Sequence, residues 1–237
     1  MAKNESTTFA DRLRKAQDLL SYIKGFEGYE PPRTEESIEG FQSLIASIVT
    51  ANANETDLMQ DYKFAVNTRQ MAFFKSPDSV DRLFPLIKGF VYAQFGKKSK
   101  EAIYLVSIIN KMRSTKINRN QTEVIDPENV KAITKAERSY GALTKYFGDI
   151  VSTISKYTDY NPSNPVLKLP ALQVQSANLT SLNDKVAENI SQLRTVKADR
   201  LGKYTELSDS VQRIKSYTLS HYGIESKEYS LVTSLKI

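Results

Sequence analysis

The chain has 237 residues, a net charge of +6 and no cysteine, and 40% of its residues are hydrophobic and 25% are charged. This composition is typical of a folded protein with enough apolar side chains for a core, and it excludes an intrinsically disordered chain. The absence of cysteine excludes disulfide bonds, thiolate catalysis and zinc sites with cysteine ligands.

Charge and hydropathy limit the location and the partners of the protein. The 33 basic residues exceed the 27 acidic residues by a small margin, so a nucleic-acid partner is one option among several. The N-terminal residues contain no apolar segment typical of a signal peptide. The longest strongly apolar run, Ile103 to Ile109, is far shorter than the ~20 residues that cross a membrane. We therefore expect a cytoplasmic protein.

The first predicted helix begins near Thr7 or Thr8, since either side chain can cap it. Apolar residues from Phe9 to Ile23 recur at spacings of three and four, so they share one face of this helix. The segment 25–32, Gly-Phe-Glu-Gly-Tyr-Glu-Pro-Pro, interrupts the pattern and predicts a turn.

The second and third predicted helices follow this turn. The second begins after Thr34, where Glu35 and Glu36 suit the positive end of the helix dipole, and it ends near Asn52 to Asn54. The third extends from about Glu55 to Phe74. We interpret the two adjacent carboxylates as helix-start residues rather than as an acid–base pair.

The fourth predicted helix has the clearest start signal in the chain. Ser76 is a capping residue, and Pro77 suits the first helical turn. Pro85 lies inside the helical pattern and is expected to kink or split the helix, and Gly96 is expected to end it. A short fifth helix, capped by Ser99, is predicted to follow.

The sequence matches itself when it is shifted by 131 positions and, after the third predicted helix, by 127 positions. At the first offset the identical pairs include Asp18 and Asp149, Ser21 and Ser152, Ile23 and Ile154, Tyr29 and Tyr160, Asn52 and Asn183, and Arg69 and Arg200. At the second offset they include Ile87 and Ile214, Lys88 and Lys215, Gly96 and Gly223, and Ser99 and Ser226. The change of four residues is about one helical turn.

We interpret these matches as an internal duplication, because they keep the same order and include two turn motifs, Tyr-x-Pro and aromatic-Gly-x-x-Ser-Lys-Glu. The predicted fold is all-α, with two tandem antiparallel helical bundles of about four main helices each. Residues 1–113 are predicted to form the first bundle, 114–135 a linker and 136–237 the second bundle. Each repeated tyrosine is expected to pack its turn against its own bundle. The repeat-equivalent residues expected to have structural roles are Tyr29, Tyr160, Gly96, Gly223, Ser99 and Ser226.

The segment from Tyr222 to Tyr229 (Tyr-Gly-Ile-Glu-Ser-Lys-Glu-Tyr), with its counterpart after Phe95, resembles the tail of an uncharacterised family of helical proteins from Bacteroidetes. The likeness is clearest in these two motifs and extends loosely over the chain. The resemblance implies an α-helical fold and carries no known activity, cofactor or site.

The sequence lacks the residue patterns of common enzyme and cofactor sites. His221 is the only histidine, and its counterpart in the first repeat is Gln94, so we expect a structural or surface role for it. No Glu-x-x-His pair, Gly-x-Ser-x-Gly motif or phosphate-binding glycine loop occurs. We therefore predict no enzyme activity, no metal site and no cofactor.

Two groups of basic residues are candidates for a binding patch. Lys97, Lys98 and Lys100 lie beside aromatic residues, and Lys111 and Arg113 extend the positive charge toward the linker. Cations among aromatic side chains are typical of grooves for single-stranded nucleic acid, whereas a solvated helix end is the alternative interpretation. The second repeat has Ile and Glu at the positions of Lys97 and Lys98, which favours the alternative.

The leading functional prediction is a non-enzymatic interaction or scaffold protein that binds another protein. It rests on the helices, the duplication and the lack of a catalytic pattern. A nucleic-acid-associated protein that uses a basic face is the alternative. A membrane-active helical bundle is a weaker alternative, because the chain has no long apolar hairpin.

Overall fold

The fold is all-α, as the sequence predicts. The structure is a computed structural model that describes residues 8–114 and 130–237, without the side chains of residues 111–114 and 130–139. No strand occurs in this part of the chain. A 3-10 turn precedes α2 at Thr34–Glu36, and another precedes α6 at Pro165–Leu167. The α-helices are α1 (Phe9–Lys24), α2 (Ile38–Gln70), α3 (Val80–Phe95), α4 (Lys100–Ser114), α5 (Val130–Ile154), α6 (Leu169–Tyr222) and α7 (Lys227–Ser234).

Helix α1 has the start and the buried face that the sequence predicts. Thr8 is its N-cap, and the Thr8 hydroxyl accepts a hydrogen bond from the Asp11 N–H at 3.2 Å. The helix ends at Lys24, directly before the predicted turn. Its buried residues are Ala16, Leu19, Leu20 and Ile23.

Helices α2 and α6 are longer than the sequence pattern predicts. The predicted break at Asn52 to Asn54 is wrong, because α2 continues without interruption over 33 residues. An asparagine in a helix costs less than about 1 kcal/mol, so two of them do not by themselves break a long helix. The Asn52 side chain also donates to the Tyr204 hydroxyl at 3.0 Å, which stabilises this position. Helix α6 is likewise continuous, over 54 residues.

The junction between α2 and α3 differs from the predicted helix start. A π-helical turn, Met71–Lys75, follows α2, and Ser79 is the N-cap of α3. The prediction of Ser76 as the cap is wrong, because the Ser76 N–H closes the π-helical turn through a 2.9 Å hydrogen bond to the Met71 carbonyl. Helix α3 is not split at Pro85.

The chain folds into two compact units, and each unit contains residues from both halves of the sequence. Of the described residues, unit 1 contains 8–60 and 191–237, and unit 2 contains 61–114 and 130–190. The boundaries between the units fall inside α2 and inside α6. The predicted tandem arrangement is therefore not confirmed. A sequence repeat identifies equivalent helices but does not reveal which copies of them pack together. The predicted linker 114–135 lies largely outside the described residues, and α5 begins within it.

Each unit has its own hydrophobic core. In unit 1, α1 and the first part of α2 pack with the last part of α6 and with α7. In unit 2, α3, α4 and α5 pack with the first part of α6. The fully buried residues of unit 1 include Leu19, Ile23, Phe41, Ile48, Tyr204, Leu207 and Ile214. Those of unit 2 include Phe73, Ile87, Leu105, Phe147, Ile150, Leu172 and Leu179.

The two Tyr-x-Pro turns have the same hydrogen bond. The Tyr29 hydroxyl donates to the carbonyl of Glu36 at 2.9 Å, and the Tyr160 hydroxyl donates to the carbonyl of Leu167 at 3.0 Å. Both acceptors end the 3-10 turn that leads into the next long helix. Each tyrosine thereby ties its turn to the start of that helix.

The two helix ends that carry the aromatic-Gly motif are also alike. Gly96 and Gly223 follow α3 and α6 with φ values of 85° and 89°, a region that favours glycine. Ser99 and Ser226 then cap the next helices. Their hydroxyls accept hydrogen bonds from the N–H groups three residues later, at 3.0 and 3.1 Å.

Candidate binding groove in unit 1

A buried carboxylate lies at the centre of the candidate site. Glu36 ends the 3-10 turn before α2, and its side chain is only 3% exposed. One carboxylate oxygen lies 3.3 Å from Nε of Arg33, and the other lies 3.3 Å from Nη1 of Arg213. The Ser210 hydroxyl donates to the second oxygen at 3.4 Å. These partners compensate the cost of burying the charge.

Aromatic packing around Tyr29 fixes the position of the 3-10 turn that contains Glu36. The Tyr29 ring, whose hydroxyl holds the Glu36 carbonyl, packs edge-to-face on Tyr217 of α6, with ring centroids 5.4 Å apart. The Tyr217 hydroxyl in turn accepts a hydrogen bond from the Glu30 N–H at 3.1 Å. Burial, and then the nearby Tyr217, raise the pKa of Tyr29, so its hydroxyl remains a donor.

A groove of about 730 Å³ opens beside Glu36. Three small residues form part of its wall: Ser37, directly before α2, and Gly40 and Ser43 of α2. A Cβ atom on Gly40 would collide with the Thr34 carbonyl oxygen, so glycine permits the close approach of the 3-10 turn to α2. The charged residues that line this groove are Arg33, Glu35, Glu39, Glu206, Asp209 and Arg213.

A second groove, of about 410 Å³, adjoins the first at Arg33 and Arg213, which line both. Pro31, Pro32 and Tyr217 give the second groove an apolar wall. Its polar lining residues are Glu36, Gln212, Ser216 and Ser220. We call the two together the unit 1 groove. It combines an acidic part with a part that has an apolar wall, and Arg33 and Arg213 line both parts.

Local contacts favour the charged forms at the mouth of the groove. The pKa of the Glu35 carboxyl is lowered, first by a hydrogen bond from its own backbone N–H and then by Arg33. The Nε atom of Arg33 donates to a Glu35 oxygen at 3.4 Å, and this contact raises the pKa of Arg33. The groove therefore presents fixed charges of both signs, with more carboxylates than guanidinium groups.

The equivalent turn of unit 2 lacks this polar set. Leu167 occupies the position that corresponds to Glu36, and Leu86 occupies the position that corresponds to Arg213. Leu167 is buried in the core of unit 2. The same arrangement of helices thus packs without a buried carboxylate or its arginine. Unit 2 thus has no ion pair at these two positions, and a buried ion pair is in any case weak evidence of a stabilising role.

Sequence patterns alone do not identify this site. Glu35 and Glu36 look like helix-start residues, but the structure places Glu35 at the surface and Glu36 inside. Arg213 lies in the last part of a long helix, more than 170 residues away along the chain. The sequence feature that points to this site is the repeat, in which Glu36 aligns with Leu167 and Arg213 aligns with Leu86.

The predicted basic patch lies in unit 2, at the turn before α4. Lys97, Lys98 and Lys100 are exposed there. The side chains of Lys111 and Arg113 lie outside the described part of α4, so the five-residue basic binding patch stays a prediction. The positions of Lys97 and Lys98 correspond in unit 1 to an exposed isoleucine and an exposed glutamate.

The aromatic residues near this patch have mixed environments. The Nζ atoms of Lys88 and Lys97 lie 5.2 and 5.9 Å from the centroid of the Tyr92 ring. Phe95 packs edge-to-face on Tyr157 at 5.4 Å. Tyr104, in contrast, is 60% exposed. Of these rings, Tyr104 is the one best placed to stack on a ligand.

His221 belongs to the aromatic cluster at the end of α6. Its ring stacks on Tyr217 at 5.3 Å and contacts the edge of Tyr222 at 4.6 Å. In the described residues, no group of three or more His, Cys, Asp or Glu side chains is placed to hold a metal ion. His221 thus contributes to packing around the turn that follows α1.

Comparison with known proteins does not assign the chain to a family. No protein-family model, curated protein or solved structure matches it. Within residues 8–114 and 130–237, no helix is long and apolar enough to cross a membrane. The groove is therefore interpreted from its own chemistry.

Proposed function

We propose that this chain is a non-enzymatic binding protein, and that the unit 1 groove holds an extended segment of another protein. The observation that carries this proposal is the presence of Glu36 and Arg213 where unit 2 has leucines. Because one unit packs without these charges, packing does not account for them in the other. A partner that contacts the arginines and carboxylates does account for them.

The dimensions of the groove support a peptide segment as the ligand. Its two parts, of about 730 and 410 Å³, lie in the range of about 300–1,000 Å³ that is usual for ligand pockets. They are separate grooves that share Arg33 and Arg213 as lining residues. An extended chain places successive side chains in two such grooves, one in each.

The groups that line the groove support a basic segment with an apolar neighbour. The carboxylates of Glu35, Glu39 and Glu206 accept hydrogen bonds from Lys or Arg side chains, and complementary charge gives specificity. Pro31, Pro32 and Tyr217 suit an apolar or aromatic side chain. Each guanidinium has five N–H donors, and the contact with Glu36 uses only some of them, so others serve backbone carbonyls of the ligand.

The same groups support binding rather than catalysis. Glu36 is paired with a guanidinium at each oxygen, and the pKa of Glu35 is lowered by its hydrogen bonds. A general acid or base works best with a pKa near neutral pH, so paired and ionised carboxylates are poorly suited to proton transfer.

We also propose that the two halves of the chain descend from one duplicated helical module. The equivalent hydrogen bonds of Tyr29 and Tyr160 and the equivalent glycine ends of α3 and α6 support this origin. In this view unit 1 has acquired the charged groove, and unit 2 keeps an apolar turn. The charged residues that distinguish unit 1 from unit 2 then serve binding rather than packing.

The experiment is selection from a phage-displayed library of random 12-residue peptides on the immobilised full chain. We expect enrichment of peptides that combine Lys or Arg with an apolar or aromatic residue. Enriched sequences are then synthesised with a fluorophore, and their affinity is measured by anisotropy. The double variant Glu36→Leu/Arg213→Leu, which copies the residues of unit 2, should bind at least about tenfold more weakly.

The matched control is Lys97→Ala/Lys98→Ala, which removes two charges from an exposed turn of unit 2. It should bind the selected peptides as tightly as the wild type does. Failure to enrich any peptide family would contradict the proposal. Enriched peptides that bind the leucine variant and the wild type equally well would also contradict it.

A second candidate function is association with single-stranded nucleic acid through the start of α4. The exposed ring of Tyr104 lies one helical turn from Lys100, and Ile103 is also 60% exposed. Bases stack on exposed aromatic rings while nearby lysines neutralise phosphates. Anisotropy of labelled oligonucleotides at low salt tests this function. Tyr104→Ala should weaken binding about tenfold, and the absence of binding by the wild type would exclude this function.

A further inference from the structure

Each hydrophobic core is completed by both halves of the chain. Residues 8–60 of unit 1 belong to the first half, and residues 191–237 belong to the second. Unit 2 takes residues 61–114 from the first half and 130–190 from the second. Neither half therefore contains a complete core of its own.

The contacts that join the halves occur twice, with the roles of the halves reversed. Three aromatic pairs of unit 1 match three pairs of unit 2 at the offsets found in the sequence. Phe9 on Tyr204, at 4.5 Å, matches Tyr140 on Phe73, at 4.9 Å. Tyr29 on Tyr217, at 5.4 Å, matches Tyr160 on Phe90, at 5.1 Å. Phe26 on Tyr222, at 5.7 Å, matches Tyr157 on Phe95, at 5.4 Å.

Arginine contacts follow the same rule. Arg200 of α6 lies over the ring of Phe9, 4.5 Å from its centroid, and Arg69 of α2 lies over the ring of Tyr140 at 3.9 Å. In both units the cation comes from one half and the ring comes from the other. Since every one of these pairs joins the halves, the repeated contacts form an interface between two equivalent pieces of chain.

We infer that the two halves are interlocking partners: residues 8–114 and 130–237 each present an apolar surface that fits the other, and a second copy of this chain can supply either half. The contacts are those that an exchanged homodimer of one module would make, with the two modules joined covalently. This inference does not depend on what the unit 1 groove binds.

The covalent connection between the two halves is the segment 115–129. It joins α4 to α5, which pack together in unit 2. The equivalent helices of unit 1 are α7 and α1, which also pack together without any connection. There the Lys15 ammonium donates to the carbonyl of Lys236 at 2.9 Å. The link between α4 and α5 in unit 2 thus has no equivalent between α7 and α1 in unit 1. A chain that is cut between α4 and α5 and joined between α7 and α1 should therefore fold in the same way.

The link nevertheless favours pairing within one chain. Covalent linkage makes the association of the two halves intramolecular, with an effective concentration on the order of millimolar, so micromolar protein assembles with itself. Exchange with a second copy requires that both cores open. Dimers should therefore form when the unfolded chain is refolded at concentrations that approach millimolar, and they should then persist on dilution.

The test uses the full chain with a protease recognition sequence placed between residues 115 and 129, cut after folding. We expect both fragments to co-elute on size exclusion at the 26.8 kDa of the intact chain. Fragments separated in urea and then diluted singly should not form a folded monomer. Mixing them should restore the helical circular dichroism signal and the co-elution. A fragment that folds alone as a monomer with cooperative unfolding would overturn the inference.

A circular permutant provides a second readout if the inserted site disturbs folding. It begins within 115–129 and joins residue 237 to residue 1 through a flexible linker of matching length. We expect a monomer with the helical content of the wild type and a free energy of unfolding within about 1–2 kcal/mol of it. A permutant that aggregates or remains unfolded would contradict the equivalence of the two connections.

Discussion

At the scale of single residues, the most informative position is Glu36. Its carboxylate is buried, whereas the guanidinium groups of Arg33 and Arg213 are about half exposed. Loss of either arginine leaves a buried charge with fewer partners, but loss of the carboxylate leaves cations that water can solvate. Mutation of Arg213 should therefore lower the free energy of unfolding by a different amount than mutation of Glu36.

We expect Arg213→Ala to lower the free energy of unfolding by about 1–2 kcal/mol, and Glu36→Leu to lower it by less. The double variant Glu36→Leu/Arg213→Leu should recover most of the loss, because unit 2 has leucine at both equivalent positions and buries the one that corresponds to Glu36. Urea unfolding followed by circular dichroism measures these values. A double variant that is less stable than Arg213→Ala would show that the fold itself needs the ion pair.

Tyr160 provides a test of the turn in unit 2. Burial raises the pKa of its hydroxyl to about 12, from an ordinary value near 10. Between pH 10 and pH 12 the folded state therefore keeps a proton that the unfolded state releases. The contribution of the protonated Tyr160 hydroxyl to the free energy of unfolding is complete below pH 10 and is lost between pH 10 and pH 12. Partial exposure reduces the effect to about 1 kcal/mol.

Urea unfolding of the wild type and of Tyr160→Phe at pH 8 and pH 11 measures this contribution. At pH 8 the variant should be less stable by about 1 kcal/mol, because the hydrogen bond to the Leu167 carbonyl is missing. At pH 11 the two proteins should be closer in stability. A constant difference at both pH values would mean that the hydroxyl is not the titrating group.

At the scale of elements, the junction between α2 and α3 explains the four-residue change in the repeat offset. Tyr204 corresponds to Phe73 at the offset of 131, and Leu207 corresponds to Val80 at the offset of 127. The residues without a counterpart are Ser76–Ser79, which separate the π-helical turn from α3. In the second half, α6 continues through the equivalent point.

Deletion of Ser76–Ser79 should therefore give a folded protein in which α2 and α3 form one helix. The deletion places Phe73 and Val80 three residues apart, which is the spacing of their counterparts Tyr204 and Leu207 in the continuous helix α6. Deletion of Ser76 and Pro77 alone turns the buried face of α3 by about 200° and should prevent unit 2 from folding. Circular dichroism and thermal unfolding distinguish the two deletions. Equal stability of both would refute the proposed register.

Sequence patterns predicted the short-range parts of this fold well. The cap at Thr8, the buried face of α1 and the all-α class depend on residues within one or two helical turns of each other. The continuity of α2 past Asn52 was missed, because it depends on packing against Tyr204 in the other half of the chain. The groove was missed for the same reason, since Glu36 and Arg213 meet only after the chain has folded.

At the scale of the whole molecule, the groove and the interlocking of the halves are one arrangement. Residues 31–44 of the first half and 206–220 of the second half line the groove. A chain of two tandem bundles would not bring these segments together. Each unit is therefore built from both halves of the chain.

Hydrogen exchange of the variant Leu19→Ala tests this claim most directly. Leu19 is fully buried in α1, and its truncation should cost about 2–4 kcal/mol. We predict that amide protection falls in residues 204–214 of α6, which share its core, and persists in residues 83–109. The matched variant Leu105→Ala in α4 should reduce protection in residues 140–154 and spare α1. Loss of protection in 83–109 on Leu19→Ala, with 204–214 unchanged, would contradict the account.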